Sequence, residues 1–427
     1  MVFMSNEYSL YCIINPKKGE LKISGTIIIP ATVESAFFIL NRGLRWTKTV
    51  RRTASGSQKI TAVKTDIVEV PKFYNGVLWA FDVQNSHQDE FVLEIEYSGQ
   101  IHPPAKDSGM PTMGYIKRDF VELACYSAWY PVPFNMETNM SFELEFEGPD
   151  DWTWESNGKL QDIEHKDSSS VWKWKQTRPV NDIVVVGLPK RDAHLDEESL
   201  FWGPRDLAGS HKILDTTARE MKKLLEDWLG PRDTDDSVRF AITPRKLGGA
   251  YARSGLIVVG GGYSTDAILR KPVLQAMCHE ICHDWFCKAS VRTYDNWLDE
   301  ALAEYCSIMV TDDYLNEGFL ESRVEKTKQN LENQGEIPAI RSLTRDQAKA
   351  YAAYYFRGFL LLHEISEKTS RNKFRDMVGE FAQVCTKNRI VTTEMLLAFM
   401  EEKLGKEARK IADNWLSFDG IGCPSQE

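Results

Sequence analysis

Residues 273–306 read VLQAMCHEICHDWFCKASVRTYDNWLDEALAEYC. Within them His279-Glu280-Ile281-Cys282-His283 spells H-E-x-x-H, and the apolar neighbours Val273, Leu274, Ala276, Met277, Ile281, Trp285 and Phe286 recur at helical spacing. Positions i and i+4 share a helix face, so His279 and His283 can offer two imidazole nitrogens to one ion. Zn²⁺ takes such ligands, needs a third protein group, and in a catalytic site keeps a fourth position open for water. Glu280 sits beside the first histidine, where a carboxylate can act on that water as general base. A second amphipathic helix is expected to start near Trp297, with Glu300 and Glu304 on one face. Glu300 is the natural third ligand, and Glu304 is placed to accept the remaining N–H of a ligand histidine. Chance would produce this pattern in a chain of this length on the order of one time in a hundred.

Around that stretch the pattern divides the chain in two. At 427 residues two domains are expected. Residues 1–190 show short apolar or alternating runs, from 7–14 to 182–187, separated by turn dipeptides such as Asn15-Pro16, Asn75-Gly76 and Gly148-Pro149. They read as an N-terminal all-β sandwich or saddle-shaped domain. Trp129, Tyr130, Trp152, Trp154, Trp172 and Trp174 read as packing residues of its sheets. From 191 to 427 the period becomes helical: 211–229, the histidine helix, then about 317–333, 344–368, 371–385, 392–404 and 406–417, with strands expected only at 237–243 and 254–260. The fold class is therefore α+β, a β domain followed by a mainly helical catalytic domain.

Composition narrows the function. The hydrophobic fraction of 42% and charged fraction of 27% are those of a globular protein, and a net charge of −10 without a basic block disfavours nucleic acid or an anionic membrane as partner. No run approaches the length of a membrane-spanning helix, and the polar Ser5-Asn6-Glu7-Tyr8-Ser9 interrupts the place of a signal-peptide core. Eight scattered cysteines do not form a disulfide framework, so a cytoplasmic location is expected. Cys278 and Cys282 lie one residue off the histidine register and read as small buried hydrophobes.

These residues resemble the aminopeptidase N family of gluzincin zinc peptidases, which also includes leukotriene hydrolase. HEICHDWF is similar to its H-E-x-x-H-x-W-F, and NWLDEALAEY to its W-L-N-E-G-F-A-x-Y. Tyr355-Phe356-Arg357-Gly358 resembles Y-x-K-G, and Gly249-Ala250-Tyr251-Ala252-Arg253 aligns with G-A-M-E-N. The resemblance implies a β domain followed by a thermolysin-like catalytic domain, without the helical C-terminal domain of the large members. It also implies one zinc per chain, a peptide substrate and removal of N-terminal residues. His279, His283 and Glu300 then hold the metal, Glu280 is the base, Glu304 orients a ligand, and Tyr355 stabilises the oxyanion. Glu122, nine residues before Pro131, inherits one amino-end anchor, and 249–253 inherits the peptide-binding strand. Besides lacking that C-terminal domain, the chain departs from the family in two places. Sixteen residues lie between His283 and Glu300 against the family's eighteen, and Ala252 stands where the family has its second anchoring glutamate, with Arg253 beside it. Other readings of the same site are an endopeptidase-like enzyme, another zinc hydrolase such as an epoxide-opening one, or a non-catalytic peptide-binding relative. The oligomeric state leaves no mark on the sequence.

If the cysteines are all reduced, protein denatured without reductant will titrate eight thiols, and dithiothreitol will leave its melting temperature unchanged. A count short by an even number would place the chain in an oxidising compartment.

Overall fold

In the computed structural model the described residues are 6–30, 36–54, 56–66, 69–71, 74–81, 90–102, 114–134, 140–194, 196, 199–232, 238–245, 249–260, 270–315 and 318–424. Contacts divide the chain into two compact units, Met1–Ala208 with Val238–Gly262, and Gly209–Ser237 with Tyr263–Glu427.

The first unit is built of sheets. Its largest runs, in spatial order, Lys159–His165, Ser169–Val180, Met140–Pro149, Asn6–Asn15, Glu20–Ile29, Phe91–Gln100, Leu44–Thr53 and Gly56–Lys59. Strand Asn6–Asn15 shows why: Tyr8, Leu10, Cys12 and Ile14 are buried, while Glu7, Ser9 and Ile13 face out, a period of two with one face on the core. That strand pairs antiparallel with Glu20–Ile29 and parallel with Met140–Pro149, Tyr8 opposite Phe142. Trp129, Tyr130, Trp152, Trp154 and Trp174 all lie in the core beneath, with Trp172 packed partly buried against it. Two four-stranded sheets complete this part.

A further sheet in the same unit carries Ala193–His194, Phe201–Pro204, Arg239–Thr243, Leu256–Gly260 and Ala250–Arg253, in that order. The last two form a hairpin through Ser254 (φ 23°) and Gly255 (φ 81°), left-handed positions that a two-residue turn of this kind requires. The boundary expected at 190/191 follows chain order. Burial instead joins Ala241, Tyr251, Leu256 and Val258 to Phe120, Val184, Val186 and Leu188 in one apolar cluster. Strands 239–260 therefore count with the β unit.

The second unit is helical. Among the described residues its helices are α1 (Ala208–Leu229), α2 (Lys271–Cys282), α3 (Trp297–Leu315), α4 (Phe319–Gln334), α5 (Gly358–Thr369), α6 (Arg371–Lys387), α7 (Thr393–Leu404) and α8 (Lys406–Ser417). Helix α3 is the axis, with every residue from Trp297 to Thr311 buried. Gly358 opens α5 because a Cβ there would lie 2.5 Å from the Cβ of Ala301 on α3. The long helix expected over 344–368 is interrupted. Residues 343–349 form turns that end at Lys349 (φ 71°), and Ala352–Arg357 is a π-helix. Thr344 and Asp346 account for the difference, since Thr344 donates from Oγ1 to Asp346 and from its backbone N–H to Gln347 Oε1, both at 2.7 Å.

Arg357 fastens the π segment from below. Fully buried, it donates to the carbonyls of Pro338, Phe418 and Gly420 and lies over the Phe418 ring. Arg357→Met strands those carbonyls and should lower unfolding stability by about 3 kcal/mol in urea titration. Arg341→Met, at the partly exposed pair with Asp413, should cost under ~1 kcal/mol. Equal losses at the two positions would show that Arg357 is not the fastening.

Candidate metal centre

Helix α2 is entered through Pro272 in its first turn and ends as His283 caps it. His279 and His283 therefore stand one turn apart on the last turn, their ring centroids 4.9 Å apart and nearly perpendicular. Each ring is oriented through Nδ1. His279 Nδ1 lies 3.1 Å from Glu304 Oε2, and His283 Nδ1 lies 2.9 Å from the carbonyl of Phe286. Both Nε2 atoms are thereby turned to the same place, and Glu300 Oε2 of helix α3 meets them at 3.4 and 3.7 Å.

Those separations fit a metal. Ligand atoms at about 2.0–2.2 Å from a tetrahedral zinc lie about 3.3–3.6 Å from one another. His279 Nε2, Glu300 Oε2 and Glu280 Oε2 are buried and have no hydrogen-bond partner among the described residues. Buried polar atoms are rarely left so, and three around one point indicate a missing common partner. The ligand atoms of His279, Glu280 and His283 also fall within 4.8 Å of one another. Glu300 Oε2 stands within 3.7 Å of both imidazole Nε2 atoms, and the Glu280 carboxylate lies beside them, where it can act on a water brought to the centre.

Electrostatics point the same way. Burial lowers the His279 imidazole, but Glu300 and Glu304 outweigh it and raise the group to about 10. Burial raises Glu300, yet Arg345, His279 and His283 bring it well below the usual carboxylate range. Closely spaced buried carboxylates ask for positive charge, which a dication supplies. Arg345 pairs with Glu300 Oε1, and Arg323 Nη2 donates to Glu304 Oε1 at 2.7 Å. Gln275, one turn before His279, donates to Glu304 Oε2 at 3.0 Å.

Tyr355, in the π-helix, stacks on His279 with centroids 5.4 Å apart and planes 13° off parallel. Burial and the neighbouring Glu300 push its hydroxyl well above the usual phenol range, so it remains a donor. Of its neighbours, Tyr351 is exposed and Tyr354 donates to the Leu343 carbonyl, away from this cluster. Cys278 and Cys282 are buried and are not among the residues whose ligand atoms meet here, His279, Glu280 and His283.

The residues expected to bind substrate lie in the β unit. Glu122 is wholly buried, and its carboxylate accepts from Thr243 Oγ1 (2.8 Å), Arg245 Nε (3.3 Å) and Tyr251 OH (3.4 Å). Arg245 also donates to the Gly249 carbonyl. Ala250–Arg253 is the last strand of its sheet among the described residues. Arg253 is engaged inside the unit by Asp182 (2.9 Å) and Tyr126 OH (2.8 Å). Sequence reasoning missed Arg245, Asp182, Arg323 and Arg345, which come from elements remote in the chain. It could have found Gln275, four residues before His279 on the same helix face.

Residues 250–415 match the model of the peptidase family M1 domain. Among solved structures, a glutamate-to-alanine mutant of an M1 zinc metallopeptidase from Deinococcus radiodurans bound to a Tyr-Ser-Ala substrate is similar at 18% identity. It covers 97% of this chain and 94% of that one, with a TM-score of 0.76. The M1 zinc metallopeptidase from Deinococcus radiodurans without that mutation gives 18% identity, 97% and 93% coverage and a TM-score of 0.74. A two-domain M1 zinc metallopeptidase mutant bound to L-arginine gives 17%, 99% and 96%, and 0.74. No curated protein sequence matches. At these identities the likeness establishes the fold, a multi-sheet β part followed by a helical part. No described helix is long and apolar enough to cross a membrane.

Purified protein should contain about one zinc per chain. His279→Ala and Glu300→Ala should lose it. Glu280→Ala and Tyr355→Phe should keep it, the first abolishing turnover and the second lowering kcat roughly 10²-fold. Elemental analysis and peptide hydrolysis decide, and full activity in Glu280→Ala would refute the centre.

Proposed function

We propose that the chain, whose residues 250–415 match the peptidase family M1 domain, is a zinc peptidase of that kind and cleaves peptides from their amino ends with only weak dependence on the free amine. The hydrolytic part rests on one observation, the convergence of His279 Nε2, His283 Nε2 and Glu300 Oε2 beside a Glu280 carboxylate oxygen that has no partner among the described residues. When bound, zinc polarises a carbonyl oxygen and lowers the pKa of a water to about 7. Glu280 takes the proton of the attacking water and returns it to the leaving nitrogen. The Tyr355 hydroxyl donates to the carbonyl oxygen as it becomes negative, a contribution typically worth about 2.7–4 kcal/mol in kcat. Glu304, with Gln275 and Arg323 behind it, keeps the His279 ring turned toward the centre. Strand Ala250–Arg253, hydrogen-bonded on one side to Leu256–Gly260, offers its other edge to an extended peptide.

Recognition of the amino end is where this chain differs from the family it resembles. A substrate ammonium is held by carboxylates that lack another cation. Residue 252 is alanine, and the charge of Glu122 is already matched by Arg245. Arg253 is matched by Asp182, which leaves it less charge to set against an ammonium or to offer a substrate carboxylate. An endopeptidase-like activity is the second reading, and the same Glu122–Arg245 pair favours it.

The deciding measurement is kcat/KM for a free-amino peptide against its N-acetyl twin. The free amine should be preferred by less than about 10²-fold, under ~3 kcal/mol, and Ala252→Glu should widen the gap. A preference above about 10³-fold, ~4 kcal/mol, would reveal another anchor. Preference for the acetylated twin would make the enzyme endopeptidase-like.

A further inference from the structure

Arg345 lies outside the histidine motif, in a turn that periodicity assigns to helix, yet it touches the third candidate ligand. Its Nη1 donates to Glu300 Oε1 and, at 2.8 Å, to Asn296 Oδ1. The other oxygen of the same carboxylate, Oε2, faces the two imidazole nitrogens and has no hydrogen-bond partner among the described residues. One carboxylate thus has two separate duties. The turn that carries Arg345 is itself fixed, by Thr344 bonding to Asp346 and Gln347 and by Tyr354 OH donating to Leu343 O at 2.9 Å. The Arg345 side chain is 33% exposed and that of Glu300 only 4%, so the guanidinium closes the outer side of a buried carboxylate.

A carboxylate can ligate a metal through one oxygen or through both. Ligation through both takes up a position that a hydrolytic zinc must leave for water. An outer oxygen with nothing on it gains by turning toward the dication, and one held in a charge-assisted hydrogen bond does not. We propose that Arg345, by occupying Oε1, holds Glu300 to one-oxygen ligation and so preserves the open coordination position. Arg345 is then a positioning residue, and this role rests on the metal-centre reading above. The neighbouring turn of α3 supplies an internal comparison. Glu304 divides its oxygens in the same way, Oε1 to Arg323 at 2.7 Å and Oε2 to His279 Nδ1 at 3.1 Å, but its inner oxygen meets a ring N–H instead of the ligand cluster. Arg323 therefore orients a ring and guards no coordination position.

Cobalt(II) substituted for zinc reports coordination number, because four-coordinate cobalt absorbs visible light several times more strongly than five- or six-coordinate cobalt. The cobalt-loaded wild type should show the strong spectrum. Arg345→Met should still bind cobalt, lose most of that intensity, and lower kcat about tenfold or more with KM little changed. Arg345→Lys, whose ammonium can still pair with Oε1, should recover most of the intensity. Arg323→Met should keep the strong spectrum and weaken metal binding about 10- to 100-fold. An unchanged cobalt spectrum in Arg345→Met overturns the proposal, whether or not the variant melts lower. If Arg345→Met does not fold, Arg345→Gln takes its place, and a wild-type spectrum there overturns it equally. Failure of the wild type to bind cobalt at all would remove the metal-centre reading itself, a result separable from the others.

Discussion

A buried carboxylate must have its charge answered, and in the helical unit that requirement falls on Glu300. It lies on α3, the helix buried along its first fifteen residues, so water cannot answer it. Two imidazoles come from α2 and a guanidinium from the turn at 345. Glu304, one turn on, repeats the demand and is met by His279, Gln275 and Arg323. The helices can pack only where these donors reach, so the geometry that suits a metal is also the one that satisfies the fold. A buried ionic network is weak evidence for stability on its own.

The β unit solves the same problem without a vacant partner. Glu122 and Asp182, both wholly buried, are each matched by an arginine of the hairpin region, Arg245 and Arg253. In both places a hydroxyl shares the carboxylate, from Thr243 in one and Tyr130 in the other. The contrast with Glu300 is instructive. A carboxylate fully served by its own unit is part of the framework, whereas one with an oxygen left over is poised for a ligand.

How much of this could be read from sequence follows from distance along the chain. His279, Glu280, His283, Glu300 and Glu304 were legible because helical period ties them together, and the alternation in Asn6–Asn15 was legible for the same kind of reason. The parallel pairing of that strand with Met140–Pro149 was not, since no local pattern joins residues so far apart. Arg245 meets Glu122 across more than a hundred residues, and Arg345 meets Glu300 through a loop whose apolar flanks imitate a helix. Arg253 was legible as a charge but not as a partner, because Asp182 gives no hint of where it will lie. Periodicity reports which face a residue shares, and it is silent on which charge will cross from another element.

The π-helix at Ala352–Arg357 carries one consequence for how this chain can change. A π turn holds one residue more than an α turn, and each α-helical residue advances the chain by about 100° around the axis. Losing a single residue there would let the helix close into regular α form, a local gain in hydrogen bonding. The same loss would rotate Tyr355 off His279 or lift Arg357 from the carbonyls of Phe418 and Gly420. Both side chains keep their contacts only while the irregular turn persists. Insertions and deletions that most surface helices absorb would at this point separate a stable fold from a working one.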